Sequence, residues 1–202
     1  MRKASIICLV LGLAMLVGAA QASAGPVIYT DENLWNVAVS ARTSLSSTET
    51  FDDNNFQPWL TITSDQPGGV GAFQWESVVD SNPLKKDTFF HSWPQVFAWC
   101  ATFDLVTPGG PGEGINVYAD LAGTRTFIGN IARGYQGFFG FVLDNNDYFT
   151  YASLEGGGDP LGIQETYWMD DMSIGADATV PEPASMVLLG TGLLALARRR
   201  RK

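Results

Sequence analysis

The sequence predicts an all-β fold: an antiparallel, jelly-roll-like β-sandwich with a short N-terminal helix. Three observations carry this. Eight short stretches between Trp59 and Ile174 alternate apolar and polar residues or run continuously apolar. Clusters of turn residues separate them, among them Pro67-Gly-Gly69, Pro108-Gly-Gly-Pro-Gly112 and Gly156-Gly-Gly-Asp-Pro160. No helical period runs on after Ser40. An N-terminal signal helix and a C-terminal transmembrane helix flank the domain. The predicted organisation is 1–24 signal peptide, 25–178 β-sandwich and 179–202 C-terminal tail.

The leader comes first. Met1-Arg-Lys3 is basic, Ile6 to Ala20 is apolar, and Ala22 and Ala24 supply small residues at a cleavage site. Those are the three parts of a secretory signal, with cleavage expected after Ala24. Its implied partners are the Sec translocon and signal peptidase.

Tyr29 to Val39 reads as a helix. Thr30 is the expected N-cap, Asp31 and Glu32 the acidic first turn, and Leu34, Val37 and Ala38 the apolar face. The expected strands are Trp59–Thr63, Ala72–Val79, Val96–Val106, Gly114–Asp120, Arg125–Ile128, Gly137–Leu143, Tyr148–Leu154 and Tyr167–Ile174. In the third, Phe97, Trp99, Ala101, Phe103 and Leu105 share one face. Phe89 to Pro94, with the single histidine His91, reads as an aromatic loop.

The tail reads Pro181-Glu182-Pro183, then an apolar stretch to Ala197, then Arg198, Arg199, Arg200, Arg201 and Lys202. The prolines break helix and leave an extended segment, the form proteases bind. A helix from Val180 to Ala197 would measure about 27 Å, close to a bilayer core of roughly 30 Å. The basic cluster stays cytoplasmic by the positive-inside rule, so both ends place the domain outside the inner membrane. This tripartite end resembles the PEP-CTERM sorting signal of Gram-negative bacteria. The resemblance implies processing at the motif by an exosortase-type membrane protease, transient anchoring by the C-terminal helix, and a cell-surface or extracellular destination. It also implies a setting of exopolysaccharide and extracellular matrix. Patches between Thr48 and Gly175 are similar to core domains of such proteins, and Met169 to Ile174 is similar to the last strand of carbohydrate-binding jelly rolls.

Charge narrows the function. Residues 25–178 hold five basic and twenty acidic side chains, a net charge near −15. Such a surface repels nucleic acid. Cys8 leaves with the leader, so Cys100 stands alone in an apolar strand and is expected to be a buried, inert thiol. One histidine cannot build a His-rich zinc site, and His91 lacks a mechanism-specific neighbour. Asp104 and Glu113 flank a Gly/Pro loop as glycosidase carboxylates do, or serve as ordinary turn acids.

A structural Ca²⁺ is the expected cofactor if there is one. Glu49, Asp52, Asp170 and Asp171 are its candidate ligands, since first and last jelly-roll strands are often neighbours. Asp144-Asn-Asn-Asp147 is a second candidate, and solvated turns are the alternative for both. Trp59 and Trp93, each beside a proline, are the expected exposed sugar-stacking residues, with Trp75 and Trp99 in the core. The expectation is thus a non-catalytic exported surface or matrix protein. The alternatives are a carbohydrate-binding module and, behind it, a polysaccharide-active enzyme.

Overall fold

The computed structural model describes residues 25–177, apart from 43, 67, 72, 82–83, 109–111, 145–146 and 159–163. The signal cleavage residues Ala22 and Ala24, the motif Pro181-Glu182-Pro183 and the cluster Arg198 to Lys202 lie outside the described residues.

The described chain is an antiparallel sandwich. Its strands are β1 (Val27–Tyr29), β2 (Ser44–Glu49), β3 (Leu60–Ser64), β4 (Gly69–Gly71), β5 (Gln74–Ser81), β6 (Leu84–His91), β7 (Val96–Asp104), β8 (Ile115–Leu121), β9 (Thr124–Ile131), β10 (Gln136–Val142), β11 (Phe149–Gly156) and β12 (Glu165–Asp177). One layer runs β1-β10-β7-β12, where the long β12 pairs first with β5 and then with β2. The other layer runs β3-β6-β11-β8-β9. The β5–β6 hairpin joins them at a corner. The predicted antiparallel sandwich with a short helix holds; the expected signal helix and C-terminal transmembrane helix lie outside the described residues.

Aromatic side chains fill the space between the layers. Trp75 meets Phe89 at 6.3 Å between centroids, Phe89 meets Trp99 at 6.5 Å, and Phe141 meets Phe149 at 5.3 Å. These rings come from β5, β6, β7, β10 and β11, so the chain of contacts crosses from one sheet to the other. Trp75 and Trp99 are core, as the alternation predicts. Inside the same space the Tyr167 hydroxyl of β12 donates to the Asp87 carboxylate of β6. Burial pushes the Asp87 carboxyl up, and hydrogen bonds from Ser64, Tyr167, Ser77 and Trp75 only partly offset this.

β6 corrects the expected loop: Phe89 to His91 are strand residues. The physical reason is long-range. Leu60 to Ser64 and Tyr151 to Glu155 pair with its two edges, and neither partner is near it in sequence.

The helix α1 (Glu32–Ser40) is where expected, but two details differ. Asp31 is the N-cap, its Oδ1 accepting from the Leu34 N–H at 3.1 Å. The buried face is Trp35 and Val39, whereas Leu34 and Val37 are exposed. The sheet surface decides this. A Cβ on Gly140 of β10 would fall 2.8 Å from Trp35 Cδ1, and one on Gly175 of β12 would fall 2.9 Å from Val39 Cγ1. The two glycines are notches that receive an i, i+4 pair. The Trp35 indole N–H then donates to the Phe141 carbonyl at 3.2 Å.

β12 ends in a clamp. Arg42 donates to Asp177 Oδ2 at 2.6 Å and to the Leu143 carbonyl at 3.0 Å, and its guanidinium lies 3.6 Å from the Phe97 ring centroid. The Tyr148 hydroxyl donates to the same Asp177 oxygen at 3.0 Å.

Gly140→Ala is expected to push Trp35 off the sheet and to destabilise the domain by roughly 1–3 kcal/mol, the usual cost of overpacking. Gly123→Ala tests a site with open space but a left-handed backbone, where strain rather than crowding sets the cost. Thermal unfolding of both variants, with indole fluorescence as a second probe, checks this: only Gly140→Ala should alter the Trp35 environment.

Candidate functional site

The register of the five-stranded layer sorts its residues onto two sides. Ile62, Phe89, Ala152 and Ala119 share one row and face the core. The adjacent rows therefore take the opposite side, where Thr88, Ser153 and Glu155 are themselves buried. Phe90 and Tyr151 form one such row; Thr88, Ser153, Tyr118 and Phe127 form the next; Lys86, Glu155, Asn116 and Asn130 form a third.

This outer face combines aromatic rings with oriented polar groups. Phe90 and Tyr151 lie 5.3 Å apart, and Tyr118 and Phe127 lie 5.5 Å apart at 67°. Phe90 is 38% and Phe127 52% exposed. Arg125 stacks on the second pair. Its guanidinium sits 3.5 Å from the Tyr118 ring centroid, its Nε–H donates to Glu155 Oε1 at 3.2 Å, and Nη2 donates to Glu155 Oε2. A two-point carboxylate contact plus a stacked ring fixes the guanidinium plane. Nearby, Asn130 donates to Asn116 Oδ1 at 3.0 Å and the Thr150 hydroxyl to Asp120 Oδ2 at 2.6 Å. Flat rings beside pre-oriented amides and a held guanidinium suit a ligand with apolar ring faces and hydroxyl groups.

The residues expected to stack on sugars are placed differently. Trp59 is buried, and its indole N–H donates to Ser47 Oγ at 3.0 Å. Trp93 is half-buried against it, with centroids 6.1 Å apart, and packs on the core. A flanking proline marks a chain reversal but not the side a ring takes. Sequence reading missed Phe90, Tyr118, Phe127 and Tyr151. Their signal was the alternation itself, Phe89 in and Phe90 out, readable only once β6 is seen as a strand.

The expected Ca²⁺ ligands gather along the β2–β12 seam, where Glu49 pairs with Met172. Glu49 is buried and spent on the chain: Oε1 accepts from the Phe51 N–H at 2.9 Å and Oε2 from the Gln57 N–H at 2.7 Å. Asp52 accepts from the Thr50 hydroxyl at 2.7 Å. Burial, then the charges of Asp171 and Asp52, push the Asp170 carboxyl up. Asp171 sits at a bulge with φ 50°, and its N–H donates to Asp170 Oδ1 at 2.8 Å. Among the described residues no three His, Cys, Asp or Glu side chains group closely enough to hold a metal ion.

The other chemical candidates are accounted for by their surroundings. His91 Nδ1–H donates to the Trp93 carbonyl at 3.0 Å, its ring lies edge-on to Phe149, and burial pulls its pKa down. Cys100 is buried, and that burial pushes its thiol far up. At Asp104 burial opposes the charge, but hydrogen bonds from Thr107, Gln136 and Val106 outweigh it and hold the carboxyl at about 2. Glu113 and Glu165 both turn inward beside Gly114. Glu113 Oε2 accepts from the Ser81 hydroxyl at 2.9 Å, and Glu165 Oε2 accepts from the Gly114 N–H at 2.6 Å. Oε1 of each is buried with no hydrogen-bond partner among the described residues. Burial and then the Glu113 charge raise the Glu165 carboxyl to about 7, against the Gly114 N–H and Arg133.

Residues 179–202 match the PEP-CTERM protein-sorting motif. The chain carries a PEP-CTERM sorting signal. That motif implies export, exosortase-mediated sorting and anchoring through the C-terminal tail. Among solved structures, the PEP-CTERM chain is similar to CBM29_1, a family 29 carbohydrate-binding module from Piromyces equi. The identity is 10%, covering 66% of this chain and 91% of that one, with a TM-score of 0.51. A second family 29 carbohydrate-binding module gives 7% identity, 70% and 97% coverage and a TM-score of 0.49. At such identity the first likeness shows the fold alone, an antiparallel jelly-roll-like sandwich. No curated protein matches the chain significantly.

The Glu165 carboxyl predicts a pH dependence. Its folded pKa of about 7 lies above the ordinary 4.5. The folded state therefore binds the extra proton, and this contribution is full below pH about 4.5 and lost as pH rises through about 7. Stability should fall over that window by up to about 3 kcal/mol. Glu165→Gln, which keeps an acceptor for Gly114, should flatten the decline in thermal unfolding measured from pH 4.5 to 8.

Proposed function

We propose that this is an exported, non-catalytic surface or matrix protein, sorted by its PEP-CTERM tail, whose β-domain binds a neutral polysaccharide. The binding surface is the outer face of the five-stranded layer. One observation carries the reading: two aromatic pairs, Phe90–Tyr151 and Tyr118–Phe127, share a single sheet face with Arg125, whose held guanidinium stacks on Tyr118. Rings exposed at this level lose water gladly when a sugar ring covers them. A pre-formed Arg125–Glu155 pair and the Asn116–Asn130 pair orient hydroxyls without further ordering cost. The named similarity to carbohydrate-binding modules agrees with this use of the fold.

The domain's acidic surface favours an uncharged glycan over an anionic one. An exopolysaccharide layer outside the inner membrane is the natural setting. The exported chain would be delivered there by the translocon, trimmed by signal peptidase, and released or transferred by an exosortase-type protease.

Affinity electrophoresis of the domain in gels containing neutral β-glucans and mannans tests the face. Phe127→Ala or Arg125→Ala should weaken retardation about tenfold, a loss near 1.4 kcal/mol. Trp59→Ala should leave retardation intact while costing about 3–5 kcal/mol of stability, as large aromatic truncations in cores do. No retardation by any glycan, or loss only with Trp59→Ala, overturns the reading. Intact-mass analysis of the native exported protein is expected to show a chain beginning at Gly25 and cut near Pro181-Glu182-Pro183; a full-length mass overturns the processing.

A further inference from the structure

We infer that the opposite side of the sandwich carries a second, smaller site, which takes a single sugar residue bearing a protonated amine. The site is a cleft of about 310 Å³ on the outer face of the other layer, between α1 and the β2–β12 seam. It is independent of the aromatic face, which lies on the far sheet.

Its shape comes from features already described. The glycine notches at Gly140 and Gly175 draw Trp35 and Val39 down onto the sheet. The helix thus lies low enough to form a wall, and Glu32 and Asn36 line the cleft from it. The bulge at Asp171 brings that carboxylate to the opposite rim. The volume sits at the small end of ligand pockets, which run about 300–1,000 Å³, so one ring fits and a chain does not.

The lining selects the ligand. Ser46, Thr48, Thr102 and Ser173 line the cleft from β2, β7 and β12. Thr48 and Ser173 are already bonded to each other at 2.6 Å, so they are held in place. Phe138, half-buried and edge-on to Trp35 at 6.2 Å, gives an apolar patch for the CH face of a ring. The lining contains two carboxylates, Glu32 and Asp171, and no Lys or Arg. The fields of both carboxylates add to the burial that pushes the Cys100 thiol up. Hydroxyls bind a polyol of any charge. Two carboxylates with no cation reject a uronic acid and favour an ammonium group. An amino sugar meets all three demands.

The test uses the domain labelled with ¹⁵N and three probes: methyl glucosaminide, methyl N-acetylglucosaminide and methyl glucuronide. The Trp35 indole N–H resonance is the reporter. The glucosaminide is expected to shift it saturably, the N-acetyl form to bind at least tenfold more weakly, and the glucuronide not at all. Asp171→Asn should remove the preference for the amine, and Asn tolerates the left-handed backbone at that position. Ser46→Phe should block binding by filling the cleft. Phe127→Ala, on the far sheet, should change nothing here. Equal binding of all three probes, absence of any Trp35 shift, or a response that Phe127→Ala abolishes and Ser46→Phe does not, each overturns the inference. Loss of glycan retardation by Phe127→Ala would stand or fall separately.

Discussion

Every outward feature of the domain depends on the aromatic seam between its two layers. Trp75, Phe89, Trp99, Phe141 and Phe149 come from five strands and meet where neither sheet alone could bury them. Rings of this size contribute most of their energy through burial. The seam fixes how far apart the sheets stand and which residue of each strand points inward. Because side chains alternate, that choice also decides what each sheet shows to solvent. Phe89 inside puts Phe90 outside; Trp99 inside puts Cys100 beneath the helix.

Scarce positive charge is placed accordingly. The domain has five basic residues. Arg42 closes the end of β12, Arg125 is held on the aromatic face, and Arg133 tempers the buried Glu165. In the Arg125–Glu155 pair the carboxylate is buried and the guanidinium is exposed. The value of the Arg125–Glu155 pair lies in orientation: a carboxylate and a ring hold one guanidinium in one plane. An otherwise acidic domain thereby gains a fixed donor array where a hydroxylated ligand would touch it.

How much of this was readable in advance follows from the range of the interactions. Strands such as Val96–Asp104 were legible because their apolar residues recur at the strand period over a long run. The tail was legible because membrane polarity is a local property of composition. β6 was not, since Lys85, Lys86 and Asp87 look like surface; the buried Asp87 is satisfied by donors remote in sequence, among them Tyr167 eighty positions later. The helix face was misjudged for a related reason. Leu34 and Val37 are the better apolar pair by composition, but Gly140 and Gly175 fit Trp35 and Val39. Trp59 and Trp93 illustrate the limit for sites: residue type is local, but exposure is decided by register with strands elsewhere in the chain.

The final strand has a temporal meaning. β12 lies in mid-sheet, hydrogen-bonded to β7 on one side and to β5 and β2 on the other, and Asp177 at its end is gripped by Arg42 and Tyr148. A chain delivered N-terminus first leaves a gap in that layer until its last thirteen sheet residues arrive. The sandwich therefore closes only when the sorting tail is about to follow. Any later tug from the membrane side acts along β12 and must shear many backbone hydrogen bonds at once, rather than peel an edge one bond at a time.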